Sequence, residues 1–246
     1  MKRWIIAVCS IAVMLYGDTK LAVAANMSYA ITPLIAAFGQ EHPDAKISYV
    51  IGSSGKLAAQ IMHGAPYDLY FSANMTYPQR LYDAKMTVTK PMTYAKGALA
   101  ILSSKPREFS KGISVLGEPS IEKIAVANPV TAPYGTAAVE ALKHAGLYDA
   151  LKEKFVYGES IAQTITYATK AADIGIVAAS ALYAPEMTHY KEGVHWIKVA
   201  PSLYKPIDQG MVLLKHAKED KDAKAFWDFM RNDKAKVILT SYGYSL

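Results

Sequence analysis

Lys46-Ile47-Ser48-Tyr49-Val50-Ile51-Gly52-Ser53-Ser54-Gly55-Lys56-Leu57-Ala58-Ala59-Gln60-Ile61 decides the fold class, because its hydrophobic period changes part-way through. Residues 46–51 are rich in β-branched and aromatic side chains, the composition of a strand. Gly52-Ser53-Ser54-Gly55 is a turn. Beyond it Leu57, Ala58 and Ile61 recur at helical spacing until Gly64 stops them. Residues 68–72 read as the next strand. Upstream, residues 20–25 form a short apolar run, after which Ile31, Leu34, Ile35 and Phe38 mark a helix that ends at Glu41-His42-Pro43. Strand, helix, strand, helix, strand implies parallel pairing with right-handed crossovers.

The same order restarts after Thr93. Strands are expected at residues 98–102, 124–127, 155–157, 174–177, 196–200 and 211–214, with helices from Gly135 to Gly146 and from Ile161 to Lys170 and two more from Asp220 onward. Neither an internal repeat nor a low-complexity tract interrupts the pattern. Two successive α/β units with a C-terminal return predict two lobes, residues 18–95 with 207–246 and residues 96–206. The chain would cross between them near residues 94–97 and 205–210, and a ligand would sit in the cleft.

With 246 residues, 52% hydrophobic and 20% charged, the chain can bury a sizeable core as one large domain or two small ones. Met1-Lys2-Arg3 followed by the apolar run from Trp4 to Tyr16 has the layout of a secretory signal, too short for the ~20 residues of a membrane span. Cleavage after Gly17 is expected in preference to the Ala22-Val23-Ala24 site, since the latter would remove the first strand. Cys9, the one cysteine, lies in that leader, so the mature protein should be soluble and cysteine-free. Two units of the +6 net charge come from Lys2 and Arg3. The remaining lysines are scattered and do not interleave with aromatics, which argues for a solvated surface and against nucleic acid.

Open parallel sheets bind ligands beyond the carboxyl ends of their strands, where helix N-termini present free N–H groups. Four junctions fit: Asn26, Ser53-Ser54-Gly55, Pro133-Tyr134-Gly135 and Ser160-Ile161. Each has a plainer reading. Serine and asparagine at such turns serve as N-caps, Tyr134 suits a loop surface, and Ile161 suits a core with its N–H capped by Glu159 or Ser160. Ser54 stands apart because Gly52 and Gly55 would let backbone N–H groups approach a ligand closely. A phosphate-binding P-loop is excluded, with two residues between the glycines where four are needed and Leu57 in the Ser/Thr position. The six histidines show no i+4 or H-x-H pairing, and no G-x-S-x-G elbow is present, so neither a metal centre nor a nucleophile is expected. The seventeen tyrosines lack the close pairing with histidine that ferric iron would want.

At these loops the sequence resembles the periplasmic molybdate-binding proteins of ABC transporters. The resemblance covers nearly the whole chain after the leader. It rests on Ala24-Ala25-Asn26-Met27, on residues 52–61 quoted above, on Gly64-Ala65-Pro66-Tyr67-Asp68-Leu69-Tyr70-Phe71-Ser72-Ala73, on Asn128-Pro129 through Pro133-Tyr134-Gly135-Thr136, and on the terminal Tyr242-Gly243-Tyr244. It implies a two-lobed, type II periplasmic-binding fold that holds molybdate or tungstate through uncharged groups, without a cofactor, and delivers it to an inner-membrane permease. It implies contacts from Asn26, Ser54 and the backbone N–H groups of Tyr134 and Ile161, with Ala25 adding a backbone donor. Relatives carry a tyrosine hydroxyl where this chain has Ala178, which leaves one contact without a counterpart.

The chemistry of such ligands agrees with the donor set. A fully deprotonated oxyanion only accepts hydrogen bonds, so its site needs donors such as the Asn26 amide and no carboxylate, although Asp68 and Asp208 lie near the expected hinges. A sulfate or other tetrahedral oxyanion would use the same donors, and a transferase built on the same two lobes would need a base or nucleophile in the cleft. A monomeric, periplasmic, non-enzymatic binding protein is the expectation.

Overall fold

The computed structural model describes residues 18–246. The expected leader and Cys9 lie outside the described residues. The chain begins β1 (Thr19–Ala24), α1 (Ile31–Glu41), β2 (Ile47–Gly52), α2 (Ser54–Met62), β3 (Leu69–Ser72), α3 (Thr76–Asp83) and β4 (Met92–Gly97). It continues β5 (Leu99–Leu102), β6 (Ile124–Ala127), α4 (Pro133–His144), a single turn α5 (Tyr148–Leu151), β7 (Phe155–Gly158), α6 (Ile161–Lys170), β8 (Ile174–Ala178) and β9 (Trp196–Lys198). It ends β10 (Ile207–Leu213), α7 (Lys221–Phe229) and α8 (Asp233–Ser241). No helix among the described residues is long and apolar enough to cross a membrane.

The strands form two five-stranded mixed sheets, ordered β2-β1-β3-β10-β4 and β7-β6-β8-β5-β9. In each, three strands are parallel and the fourth, β10 or β5, runs antiparallel to its neighbours. The three parallel strands are those joined by helices, since a helical crossover returns the chain to the same edge of the sheet. The antiparallel strands are those that carry the chain between lobes. It leaves the first sheet between Gly97 and Leu99 and returns between Lys198 and Ile207. Lys96 and Gly97 still pair with Asp208 and Ile207, so the segment 94–97, read as a connector, is the end of β4, where the register shifts by one residue at Tyr94.

Three elements escaped the sequence pattern: α3, β4 and the single turn α5. In α3, Pro78 occupies the third position, where no intrahelical N–H is needed. β4 is half exposed, and it is held by β10 on one side and by the C-terminal tail on the other, where Lys96 and Ser245 exchange backbone hydrogen bonds of 2.7 and 3.0 Å. The helices α7 and α8 cover the first sheet: Phe226 and Phe229 meet Phe38 of α1 edge-on, with ring centroids 5.2 and 5.6 Å apart. The sheet of the second lobe is buried among its own helices, with Ile124, Val126, Ile174 and Ile176 fully enclosed.

Register places the loops. Ala24 pairs with Gly52 at the ends of β1 and β2, and Ala127 with Gly158 at the ends of β6 and β7. The junctions at Asn26 and Ser54 are therefore neighbours in one lobe, and those at Tyr134 and Ile161 neighbours in the other.

Candidate functional site

Ala25, Asn26, Ser54, Tyr134 and Ile161 come together around one cavity between the lobes. Ser53 joins them, and Ala24, Ala73, Ala132 and Pro133 complete an apolar wall. The space is small: only about 10 Å³ is open to the centre of a water-sized sphere, room for one small solute and not for a drug-sized molecule. No lysine, arginine, histidine, aspartate or glutamate lines it.

Three helices begin at the cavity. The first N–H groups of an α-helix have no acceptor within the helix, and the aligned peptide dipoles make that end positive. Ser54 is the first residue of α2, Ile161 the first of α6, and Tyr134 the second of α4, whose first position is Pro133. Gly135 lets α4 press against the end of β6, because a Cβ there would overlap the Ala127 carbonyl. The Ser54 hydroxyl accepts a 3.0 Å bond from the N–H of Ala73, which leaves its proton free to be donated. Ser160 caps α6 by accepting from the N–H of Gln163 at 3.3 Å, so the cap does not consume the N–H of Ile161.

Asn26 is held differently from the sequence expectation. Its Nδ2 donates to Gln209 Oε1 and to the Tyr244 hydroxyl, both at 2.8 Å, so both amide hydrogens are committed within the protein. The orientation is set from behind, where Gln209 Nε2 donates to the Ile207 carbonyl at 2.8 Å and so presents Oε1 to Asn26. The Asn26 carbonyl accepts from Ser180 Oγ at 3.1 Å and from the Tyr244 hydroxyl at 3.0 Å. The Asn26 amide N–H groups thus tie the first loop to the crossing strand β10 and to the C-terminal tail, while its Oδ1 is buried without a hydrogen-bond partner. Gln209, Ser180 and Tyr244 lie 183, 154 and 218 residues away in the chain, and only the terminal Tyr-Gly-Tyr offered a hint of one of them.

Other expectations are corrected by position. Asp68 immediately precedes the central strand β3, at the opposite end of that strand from Ala73 of the cavity wall, accepting from the N–H of Lys20 at 2.7 Å and pairing with His216 at 2.6 Å. Ala178 is buried at the end of β8, paired with Leu99, and does not line the cavity. Tyr134 is no surface aromatic. It is 1% exposed, and burial first, then the nearby hydroxyls of Tyr244, Tyr94 and Tyr204, hold its phenol well above the usual 10, so it stays neutral. No group of three or more His, Cys, Asp or Glu able to hold a metal occurs among the described residues.

The lobes touch over the cavity. Gly55 N–H donates to the Thr131 carbonyl at 2.9 Å, the Tyr77 hydroxyl to the Val130 carbonyl at 3.2 Å, and Lys56 pairs with Glu159 at 2.7 Å. Two lobes meeting over a charge-free, donor-lined cavity have the form of a clamp for a small acceptor-rich solute. The sequence profile of the bacterial extracellular solute-binding proteins matches residues 19–245. The chain belongs to this family. Among solute-binding proteins it is 36% identical over 230 residues to the molybdate-binding protein ModA of Rhodobacter capsulatus, covering 93% of this chain and 88% of that protein. The ModA of Azotobacter vinelandii is 35% identical over 232 residues, covering 94% and 90%. The solved Azotobacter vinelandii periplasmic molybdate-binding protein superposes with a TM-score of 0.86 at 32% identity, over 93% of this chain and 99% of that one. The sulfate-binding protein SubI of Mycobacterium tuberculosis shares the fold, with a TM-score of 0.74 at 16% identity over 93% and 86%.

Proposed function

We propose that this solute-binding protein captures molybdate or tungstate between its lobes in the periplasm and delivers it to an ABC transporter permease, acting as a monomer released from an N-terminal leader ending near Gly17. The observation that carries the reading is the convergence of three helix N-termini on a small cavity lined by no ionisable side chain except the neutral Tyr134. Removing a dianion from water costs several kcal/mol, which charge-assisted hydrogen bonds of ~1.5–3 kcal/mol each can offset if there are several. The N–H groups of Ser54, Tyr134 and Ile161, the Ser54 hydroxyl and the main chain at Ala25 and Asn26 supply that number. The hinges are the two passages between the sheets, and closing them brings the donor sets of the two lobes onto one ion. The relatives named for molybdate are about a third identical and cover nearly the whole chain, whereas the sulfate-binding likeness is one of fold.

Calorimetry of the purified protein against molybdate, tungstate, sulfate and phosphate tests the reading. The two metal oxyanions are expected to bind far more tightly than the others. Sulfate binding of equal or greater strength overturns it.

A further inference from the structure

We infer that the Ser53 hydroxyl is a further donor to the bound oxyanion, completing with Ser54 a tandem pair of hydroxyls at the start of α2. The inference rests on the oxyanion reading of the cavity and adds a contact to it.

Ser53 occupies the N-cap position of α2, with the extended backbone (φ −67°, ψ 146°) that lets a serine side chain turn back onto the helix. It makes no such bond. Among the described helices, three other caps with a suitable side chain all use it: Ser160 accepts from Gln163, Asp220 from Asp222 and Ala223, and Asn232 from Ala235. Ser53 alone forgoes the cap although its geometry permits it.

Nor does its hydroxyl go elsewhere in the protein. The residue is 4% exposed, and its Oγ is buried with no hydrogen-bond partner. Native structures satisfy nearly all buried hydroxyls, because one taken from water and left unpaired is destabilising. A serine that gives up both the cap and the solvent, and that lines the cavity beside Ser54, has its hydroxyl reserved for what enters the cavity. With the lobes closed the hydroxyl is shut away from water, and an anion in the cavity is the partner left to it. Ser53 and Ser54 then reach the same ion from two sides of one loop, the first with its hydroxyl and the second with hydroxyl and N–H.

The test is calorimetry of the wild type and Ser53→Ala with molybdate and with tungstate, together with thermal unfolding of both proteins without ligand. Loss of a charge-assisted bond predicts binding weakened roughly ten- to a hundredfold, equally for both ions, since each offers the same four acceptor oxygens. The unfolding midpoint without ligand should be unchanged or slightly raised, because the hydroxyl removed satisfies nothing in the protein. Equal affinity of variant and wild type overturns the role of Ser53. So does a weaker affinity accompanied by a lowered midpoint, which would make the hydroxyl structural. A wild type that binds neither ion would instead overturn the oxyanion reading itself, and the Ser53 contact with it.

Discussion

Gly55→Ala should weaken molybdate binding while leaving the ligand-free protein as stable as before or more so. Gly55 lies in the first turn of α2 and donates its N–H to the Thr131 carbonyl of the opposite lobe at 2.9 Å. A methyl group there would stand 2.7 Å from the Tyr77 hydroxyl, 3.0 Å from the Thr131 carbonyl oxygen and 3.1 Å from the Thr131 Cα. Tyr77 belongs to the same lobe, and the end of its side chain can swing aside. Thr131 is backbone across the cleft and can retreat only if the lobes part. Carbon contacts settle at ~3.5–4.0 Å, so the methyl holds the lobes roughly half an ångström or more too far apart at this point. Overpacking of this kind costs ~1–3 kcal/mol, and the stretched interlobe hydrogen bond adds ~0.5–1.5 kcal/mol. A penalty of about 2–4 kcal/mol on the closed state alone is a loss of roughly 30- to 1,000-fold in affinity. In the open state alanine replaces a helical glycine, which stabilises by ~0.5–1 kcal/mol. Titration calorimetry measures the first effect, thermal unfolding the second, and small-angle scattering should find less compaction on binding than in the wild type. A variant that binds as tightly as the wild type and compacts as far would refute the closure argument.

Asn26→Asp is expected to abolish molybdate binding near neutral pH and to lower the unfolding midpoint, because a carboxylate would face Gln209 Oε1, lose both donated bonds and bring a negative charge beside the dianion; Asn26→Ser should retain measurable binding through its main chain, and calorimetry with circular dichroism distinguishes the two. Alkaline titration should unfold the protein cooperatively. Burial raises the phenols of Tyr70, Tyr94, Tyr134 and Tyr244, the last to about 12, above the ~10 of an unfolded chain. Their contribution is complete below pH ~10 and is lost as pH rises through the folded values, so fluorescence should report a stability plateau followed by a steep fall between about pH 10 and 12. A stability that begins to fall well below pH 10 would place the alkaline transition in other groups.

The alternation of strands and helices from Lys46 to Ile61, and its repetition after Thr93, was legible because period and turn chemistry are local: a run of β-branched residues, a Gly-Ser-Ser-Gly turn and a helical stripe sit within sixteen consecutive positions. The same locality made the four strand-to-helix junctions recognisable as N–H donors. Their convergence was a matter of tertiary structure. Register sets Ala24 beside Gly52 and Ala127 beside Gly158, but only the packing of two sheets brings Ser54 and Ile161 to one cavity. The antiparallel insertion of β10 and β5 was not legible either, since a strand's direction depends on which neighbour it finds and not on its own composition. Asn26 marks the limit most sharply. Its identity as a polar residue after a strand could be read directly, yet whether its amide points at a ligand depended on Gln209 and Tyr244, more than 180 residues away. A hydrogen bond leaves no periodicity in the chain, so the partners that commit a side chain, or in the case of Ser53 leave it uncommitted, are decided only when the chain has folded.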